Sequence, residues 1–471
     1  MNYTVFINRD REVSFLKEVL SRSSFQLIPV WGRRRIGKTT LLLNSTERKA
    51  FYFLATESTS IENLKRFRKE LSIYLDDDTV SGLELDWENI IRYISRMDLN
   101  IIIDEFPYLI SADSSIASVF QRMIDLHLVD TSTKLFLCGS SARMMGSFVL
   151  DYKAPLYGRR TGQIKLEPLK FKYLKEFLPE YSFEDLVRVF GMCGGVPLYL
   201  KQFDPERDLW ENVENVFLDP YSFMYEEEKF LVKQEFKNIA MYRSILDQLT
   251  SGRTRIGEIR ESLQLRRSDI TPYLNNLRAV GFVGRYVPVT EDPSRSRSGI
   301  YRIIDHFLRF YYCYIYPRVG LIESGMTEGV LKYIEDQFDT FLGRTFEEIS
   351  REVFIEWCKH SGYQFEKLGS WWFGENEIDL VGLNRTENKA ICIEVKWSRR
   401  TRSRKDVEKL MENSRRIRWG NKWTEWTYLY ISRGGFSRSC IRWMDEEGIM
   451  HWNLKDLEEI LWSDKKKIKY R

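Results

Sequence analysis

Gly32-Arg33-Arg34-Arg35-Ile36-Gly37-Lys38-Thr39 matches G-x-x-x-x-G-K-[ST] in full, the spacing of a phosphate-binding loop. The apolar run Phe25 to Trp31 precedes it, and the helix-prone Thr39 to Leu43 follows. This strand–loop–helix context is what the motif requires. Gly32 and Gly37 let the backbone curl so that successive N–H groups face phosphate oxygens, and the helix N-terminus adds a favourable dipole. Lys38 is placed to reach the β- and γ-phosphates, and Thr39 to offer its hydroxyl to Mg²⁺. The candidate nucleotide-binding residues are Gly32, Arg33, Arg34, Arg35, Ile36, Gly37, Lys38, Thr39 and Thr40.

The acids that such a loop needs come later. Asn100 to Ile103 reads as an apolar strand and ends in Asp104-Glu105. Asp104 is expected to hold the Mg²⁺ shell and Glu105 to polarise the attacking water as a general base. Another strand, Lys134 to Gly139, ends in Ser140-Ser141, which either contact the γ-phosphate or the water or cap the next helix. A helix over 8–20 and a strand over 50–54 complete an alternating pattern. That pattern predicts a parallel sheet with its ligand at the strand C-termini. No Asn-Lys-x-Asp guanine signature follows within this region, since Asn421-Lys422-Trp423-Thr424 is too distant and lacks the acid. ATP is expected rather than GTP.

Arg159-Arg160, between Gly158 and Gly162, is a candidate arginine finger. A solvated structural pair is the competing reading. Gly194-Gly195-Val196-Pro197 ends a helical stretch and is either a turn over adenine or a simple helix breaker.

With 471 residues, 43% of them hydrophobic, the chain is long enough for several cored domains. A net charge of +4 against 30% charged residues implies local patches rather than uniform basicity. Six scattered cysteines without a CxxC read as reduced core residues, not a disulfide or zinc framework. The polar Asn8 to Glu12 stands where a signal peptide would be apolar. No run of about 18 apolar residues is present. A cytoplasmic protein with no membrane contact is expected.

In the middle of the chain, helices over 241–249, 254–263 and 268–280 precede two short strands over 282–288 and 299–304. That order is a winged helix-turn-helix. Residues 251–310 hold eleven Arg and six acids, net +5, with Arg266, Arg267, Arg295 and Arg297 at the turn and wing tip. The module is read either as a phosphate-contacting DNA binder or as a protein-docking lid. The aromatic helix Asp305 to Tyr316 reads as core.

Further on, Glu377-Ile378-Asp379 and Glu394-Val395-Lys396 lie on two strands joined by a polar turn, in the order D-x(14)-E-x-K. Glu394 and Lys396 share one strand face. Asp379 can join Glu394 in chelating Mg²⁺, Lys396 can position or activate a water, and Glu347 on the preceding helix is an additional carboxylate. Charge pairing in a solvated hairpin is the competing reading. Residues 396–422 add eleven basic residues and three acids, net +8, interleaved with Trp397 and Trp419. This resembles a polyanion-binding face.

Taken together these motifs resemble the archaeal ATPases of the AAA-like/STAND group, whose C-terminal DUF234 segment is similar to the PD-(D/E)xK nuclease superfamily. The resemblance implies ATP and Mg²⁺ binding, Arg159 as the finger, Pro197 near the adenine, and Asp379, Glu394 and Lys396 as a nuclease core. Ile378 stands where that superfamily often has Pro. The expected fold is α/β: a P-loop parallel sheet, a helical lid, a winged helix-turn-helix and a C-terminal α/β restriction-endonuclease-like domain. The expected boundaries are 1–170 for the ATPase core, 171–238 for the lid or connector, 239–316 for the winged helix and 317–471 for the nuclease-like domain. The expected function is ATP hydrolysis coupled to action on DNA, in a homo-oligomer whose Arg159 acts from the same or a neighbouring subunit. The alternative is an ATP-dependent switch with a catalytically inactive nuclease-like domain.

Overall fold

The computed structural model describes residues 7–462, leaving aside the side chains of residues 142, 143, 267 and 268. The Arg267 guanidinium expected at the helix turn therefore lies outside the described residues. The chain divides into two compact units: residues up to Leu169 with Val196–Leu198, and Lys170–Gly195 with the chain from Tyr199 onward.

The first unit is built on strands β1 (Gln26–Trp31), β2 (Phe51–Leu54), β3 (Asn100–Asp104), β4 (Lys134–Gly139) and β5 (Ile164–Lys165). They form one parallel sheet in the order β2-β3-β4-β1-β5. The strands are apolar on both faces because helices cover both. Leu27, Phe53, Ile101, Ile103, Leu135 and Leu137 enter one core cluster. The alternate residues Ile28, Val30, Ile102, Phe136 and Cys138 enter the other. Pro29 is unusual inside a sheet because it cannot donate to a ladder. It is tolerated here because β5 pairs only with Val30 and Trp31, so β1 is nearly an edge at that point. The first helix starts at Asp10, not residue 8, because Arg9 adopts a left-handed conformation with φ of 97°.

The second unit opens with helical segments and then places helices Ile239–Thr250, Ile256–Ser262 and Arg267–Ala279 before β6 (Val283–Tyr286) and β7 (Ile300–Ile303). These two strands pair antiparallel. Next comes an aromatic helical run from His306 to Ile315, in which Phe307, Phe310, Tyr312 and Ile315 are buried. Glu228 is fully buried beneath it. Its carboxylate accepts from Arg243 at 2.9 and 2.6 Å and from the Tyr312 hydroxyl at 2.6 Å. One ionic contact thus ties the connector, the three-helix module and the aromatic run together.

Helices Thr327–Phe341 and Gly343–Ser361 lead to β8 (Lys367–Phe373), β9 (Asn376–Asn384), β10 (Lys389–Lys396), β11 (Glu425–Ser432) and β12 (Met450–Trp452). The sheet order is β12-β11-β10-β9-β8. It is mixed: β8, β9 and β10 are antiparallel, while β10, β11 and β12 run parallel. Among the described residues, no helix is long and apolar enough to cross a membrane, and no cysteine is disulfide-bonded.

Candidate nucleotide site and candidate metal centre

The loop after β1 has the backbone that its glycines predict. Gly32 has φ of 149°, and a Cβ there would lie 2.2 Å from the Leu166 carbonyl oxygen. Gly37 has φ of 90° and Arg35 has φ of 69°. These left-handed residues turn the chain back on itself before the Lys38–Ser45 helix. Lys38 is buried, and its ammonium donates to the Gly32 and Arg33 carbonyls at 3.0 and 2.9 Å. Burial lowers its affinity for a proton, against the pull of Glu105 and Asp104.

The Thr39 hydroxyl donates to Asp104 Oδ2 at 2.5 Å, joining the loop to the end of β3. Tyr52, from β2, donates to the same oxygen at 3.1 Å. Burial and then Asp104 hold the Tyr52 phenol protonated well above its ordinary range. Glu105 takes a left-handed φ of 50° as the chain leaves β3. Its Oε1 accepts from the Ser140 hydroxyl at 2.6 Å and its Oε2 from the Ser140 amide at 3.3 Å. This contact depends on topology, because β4, which carries Ser140 just past its end, runs between β1 and β3.

Two further residues brace the loop. Arg9 donates to the Ile36 carbonyl at 3.3 Å and to the Glu167 carbonyl at 2.7 Å. Arg34 donates to the Tyr108 hydroxyl at 2.9 Å. Thr40 faces solvent. Arg159 is engaged elsewhere in its own unit, donating to Asp125 through Nε and Nη2 at 3.0 and 2.8 Å. Arg160 lies over the Tyr157 ring, 4.5 Å from its centroid. Pro197 is half-buried at the start of a short helix, in the segment that groups with the first unit.

The second constellation lies on the mixed sheet. Asp379 is buried on β9, where its Oδ2 accepts from the Val395 amide at 2.8 Å and the Lys396 ammonium at 3.1 Å. The same ammonium is 2.7 Å from Glu394 Oε1. The three residues are together, as the strand alternation requires, with Lys396 bridging both carboxylates. Burial opposes the Lys396 charge, yet Asp379 and Glu394 hold its proton above the ordinary lysine range. Glu347, on the Gly343–Ser361 helix, lines one cavity of about 480 Å³ with Asp379 and Lys396. Burial and then Asp379 raise the proton affinity of both Glu347 and Glu394.

Glu394 Oε2 is buried and has no hydrogen-bond partner among the described residues. That orphaned oxygen, on a carboxylate that shares the Lys396 ammonium with Asp379, suits a hard cation. As arranged, with the ammonium between the acids, no group of three or more His, Cys, Asp or Glu among the described residues converges closely enough to ligate one.

The basic face expected over 396–422 keeps most of its charges but loses one ring, and Arg402 is buried and paired with Asp406 while Lys396 is held by Asp379 and Glu394. Arg399, Arg404, Lys405, Arg415, Arg416 and Arg418 are exposed. Trp397 instead is buried, donates to Asp339 at 3.2 Å and packs 5.0 Å from Phe346. Its indole is a core element because it follows β10 directly, with Arg433 stacked 4.2 Å over it. Trp419 is half-buried against Trp426. In the three-helix module, Arg266, Arg295 and Arg297 are exposed.

Residues 6–203 match the model of an ATPase domain predominantly from Archaea, and residues 311–410 match DUF234, described as archaeal and bacterial proteins of unknown function. An uncharacterized protein of Methanocaldococcus jannaschii is 40% identical over 396 residues, covering 83% of this chain and 88% of its own. The chain belongs to this archaeal ATPase family. A Walker-type ATPase of Pyrococcus abyssi shares the fold at a TM-score of 0.50 and 18% identity, over 65% of this chain and 95% of that one. An ORC2 protein of Aeropyrum pernix in ADPNP–ADP complexes superposes at a TM-score of 0.44 and 14% identity, over 69% of this chain and 97% of that one. The ATPase family implies nucleotide binding, and usually Mg²⁺.

Two residues of the nucleotide site escape a reading by motif: Arg9 and Tyr52. The only trace of Arg9 is its place directly before Asp10, where the first amphipathic helix begins. Tyr52 stands out only as a polar tip on an apolar strand.

Proposed function

We propose that this archaeal family member binds and hydrolyses ATP with Mg²⁺ at the Gly32–Thr39 loop. The observation that carries the reading is the Thr39–Asp104 contact at 2.5 Å, with Lys38 buried in the loop and Glu105 following Asp104. The residues suit the cofactor: a hydroxyl and a carboxylate already adjoin, which is the pair of oxygen donors that Mg²⁺ takes in P-loop enzymes. Mg²⁺, when bound, would neutralise charge on the phosphates. Thr39 and Asp104 would hold it, Lys38 would turn from the loop carbonyls to the phosphates, and Pro197 would border the base. Glu105, once freed from Ser140, would orient the attacking water and take its proton. Arg159, once released from Asp125, would supply positive charge in the same or a neighbouring subunit of a homo-oligomer. Loss of Mg²⁺-dependent phosphate release in Lys38→Ala tests this, and wild-type turnover in that variant refutes it.

The partner we propose is DNA. It would meet a winged helix over 239–316 bearing the exposed Arg266, Arg295 and Arg297, and a nuclease-like domain over 317–471 with Asp379, Glu394 and Lys396 at its centre. Glu347, Asp379 and Glu394 would hold a divalent ion beside a phosphodiester, and Lys396 would position the water. A second reading has its own support: the Lys396 ammonium bridges Asp379 and Glu394, where a cation would otherwise lie. In that reading the chain is an ATP-dependent switch that binds without cutting. Incubation of the full chain with single-stranded and duplex DNA, ATP and Mg²⁺ or Mn²⁺ separates the two. Cleavage lost in Asp379→Ala supports the first, and nucleotide-dependent binding without cleavage supports the second.

A further inference from the structure

The cavity of about 480 Å³ beside Asp379 is lined by four cations: Arg302, Arg309, Arg344 and Lys396. Three of them have carboxylate partners. Arg302 is 3.7 Å from Glu377, Arg309 is 3.6 Å from Glu348, and Lys396 bridges Asp379 and Glu394. Arg344 has no hydrogen bond and no ion pair among the described residues, although it is only partly exposed. Its guanidinium therefore brings five donors without a protein acceptor to a partly desolvated wall, its charge offset only at longer range by Glu347 and Glu348. Beside it, Arg302 Nε and Arg309 Nε are buried without hydrogen-bond partners. Burial, followed by repulsion from Arg302 and Arg309, pushes the Arg344 proton affinity down to about 10, so it stays charged near neutrality at a cost.

We propose that Arg344, with Arg302 and Arg309 behind it, forms a binding subsite for the phosphate group of a nucleotide or of a nucleic-acid strand end. A planar guanidinium fork matches phosphate oxygens in a bidentate fashion, and an anion there removes the repulsion among the three arginines. The volume is that of a small-molecule site, which admits a nucleotide and excludes a duplex. Phe341 and Leu249 supply an apolar wall for a base. Identifying the anion as a phosphate rests on the nuclease-like reading of the neighbouring acids, but binding does not require that they cut.

The test is calorimetric titration of the full chain in EDTA without ADP, repeated in Lys38→Ala to remove any contribution of the P-loop. The probes are trithymidylate with a 5′-phosphate, trithymidylate with a 5′-hydroxyl, and thymidine 5′-monophosphate. The 5′-phosphate is expected to tighten trimer binding by about tenfold, the scale of a hydrogen bond to a charged group. Arg344→Gln should abolish that increment while keeping the melting temperature equal or higher, because it removes an unpaired charge. Arg344→Lys, which keeps the charge but not the fork, should retain part of it. Tighter binding of the phosphorylated trimer than of the monophosphate assigns a strand end, and equal binding assigns a free nucleotide. Asp379→Asn should keep or enlarge the increment even where it removes all cleavage, which separates this subsite from the nuclease reading. No increment in the wild type, or an undiminished one in Arg344→Gln, overturns the proposal.

Discussion

The Glu105 carboxylate, on the residue that follows β3, accepts both the hydroxyl and the amide of Ser140, just past the end of β4, at 2.6 and 3.3 Å. A carboxylate so held has one oxygen committed to a strong hydrogen bond and cannot turn that oxygen to an attacking water until the bond breaks. Replacing Glu105 with Gln should lower ATP turnover by about 10²–10⁴-fold, the span of general-base effects, while leaving ATP affinity nearly intact. Ser140→Ala should change kcat and leave KM close to wild type, because Ser140 acts on Glu105. Steady-state phosphate release measured against ATP concentration checks both, and a Ser140→Ala effect confined to KM contradicts the assignment.

Arg9 holds the P-loop from behind, at Ile36, and ties it to Glu167. Arg9→Ala should loosen the loop, raise KM for ATP severalfold and cost about 1–3 kcal/mol of stability through the unsatisfied carbonyls. Nucleotide titration combined with thermal unfolding reads both effects at once.

Arg159 pairs with Asp125 in an exposed setting, so its release costs little. As a finger, its loss in Arg159→Ala should lower turnover by about 10³-fold or more. Mixing that variant with Glu105→Gln chains decides its geometry: recovery of activity requires Arg159 to act across a subunit boundary, and no recovery places it in its own chain.

The buried Glu228 carboxylate is neutralised by Arg243 and accepts a further hydrogen bond from Tyr312. Arg243→Ala leaves the charge stranded and should cost about 3 kcal/mol, the lower end for breaking a buried pair, since Arg243 keeps some solvent contact. Arg243→Ala with Glu228→Gln should recover part of the loss. Denaturant unfolding of the single and double variants measures the coupling.

Glu347 holds its proton up to about 8 in the folded chain, owing first to burial and then to Asp379. The folded state then binds more protons than the unfolded state between the ordinary glutamate range and that value. Stability from this group is complete at low pH and is lost as pH rises through the window. Thermal unfolding should show a decline from about pH 5 to pH 8 that is shallower in Glu347→Gln. An identical slope in both proteins refutes the assignment.

The P-loop was legible because its constraints are contiguous: glycines where φ turns positive, lysine and threonine at the helix start. Asp104 and Glu105 were legible because a parallel strand must end in polar residues at the ligand edge. Asp379, Glu394 and Lys396 followed from alternation across one hairpin. What stayed hidden depends on sheet order or on missing partners. Ser140 could be singled out, but its bond to Glu105 needs β4 to run between β1 and β3. Arg344 is one arginine among many until its neighbours' carboxylates are assigned. Trp397 was misplaced because an aromatic within a basic stretch carries no mark of which side of the strand end packs inward.

The ATPase core reclaims Val196–Leu198 from a stretch otherwise belonging to the second unit. The polypeptide therefore passes between the units more than once, and no single cut separates them cleanly. A fragment ending at Leu169 would forfeit Pro197, whereas the family match runs on to residue 203. A split at that boundary would leave Val196–Leu198 on the wrong side of the cut.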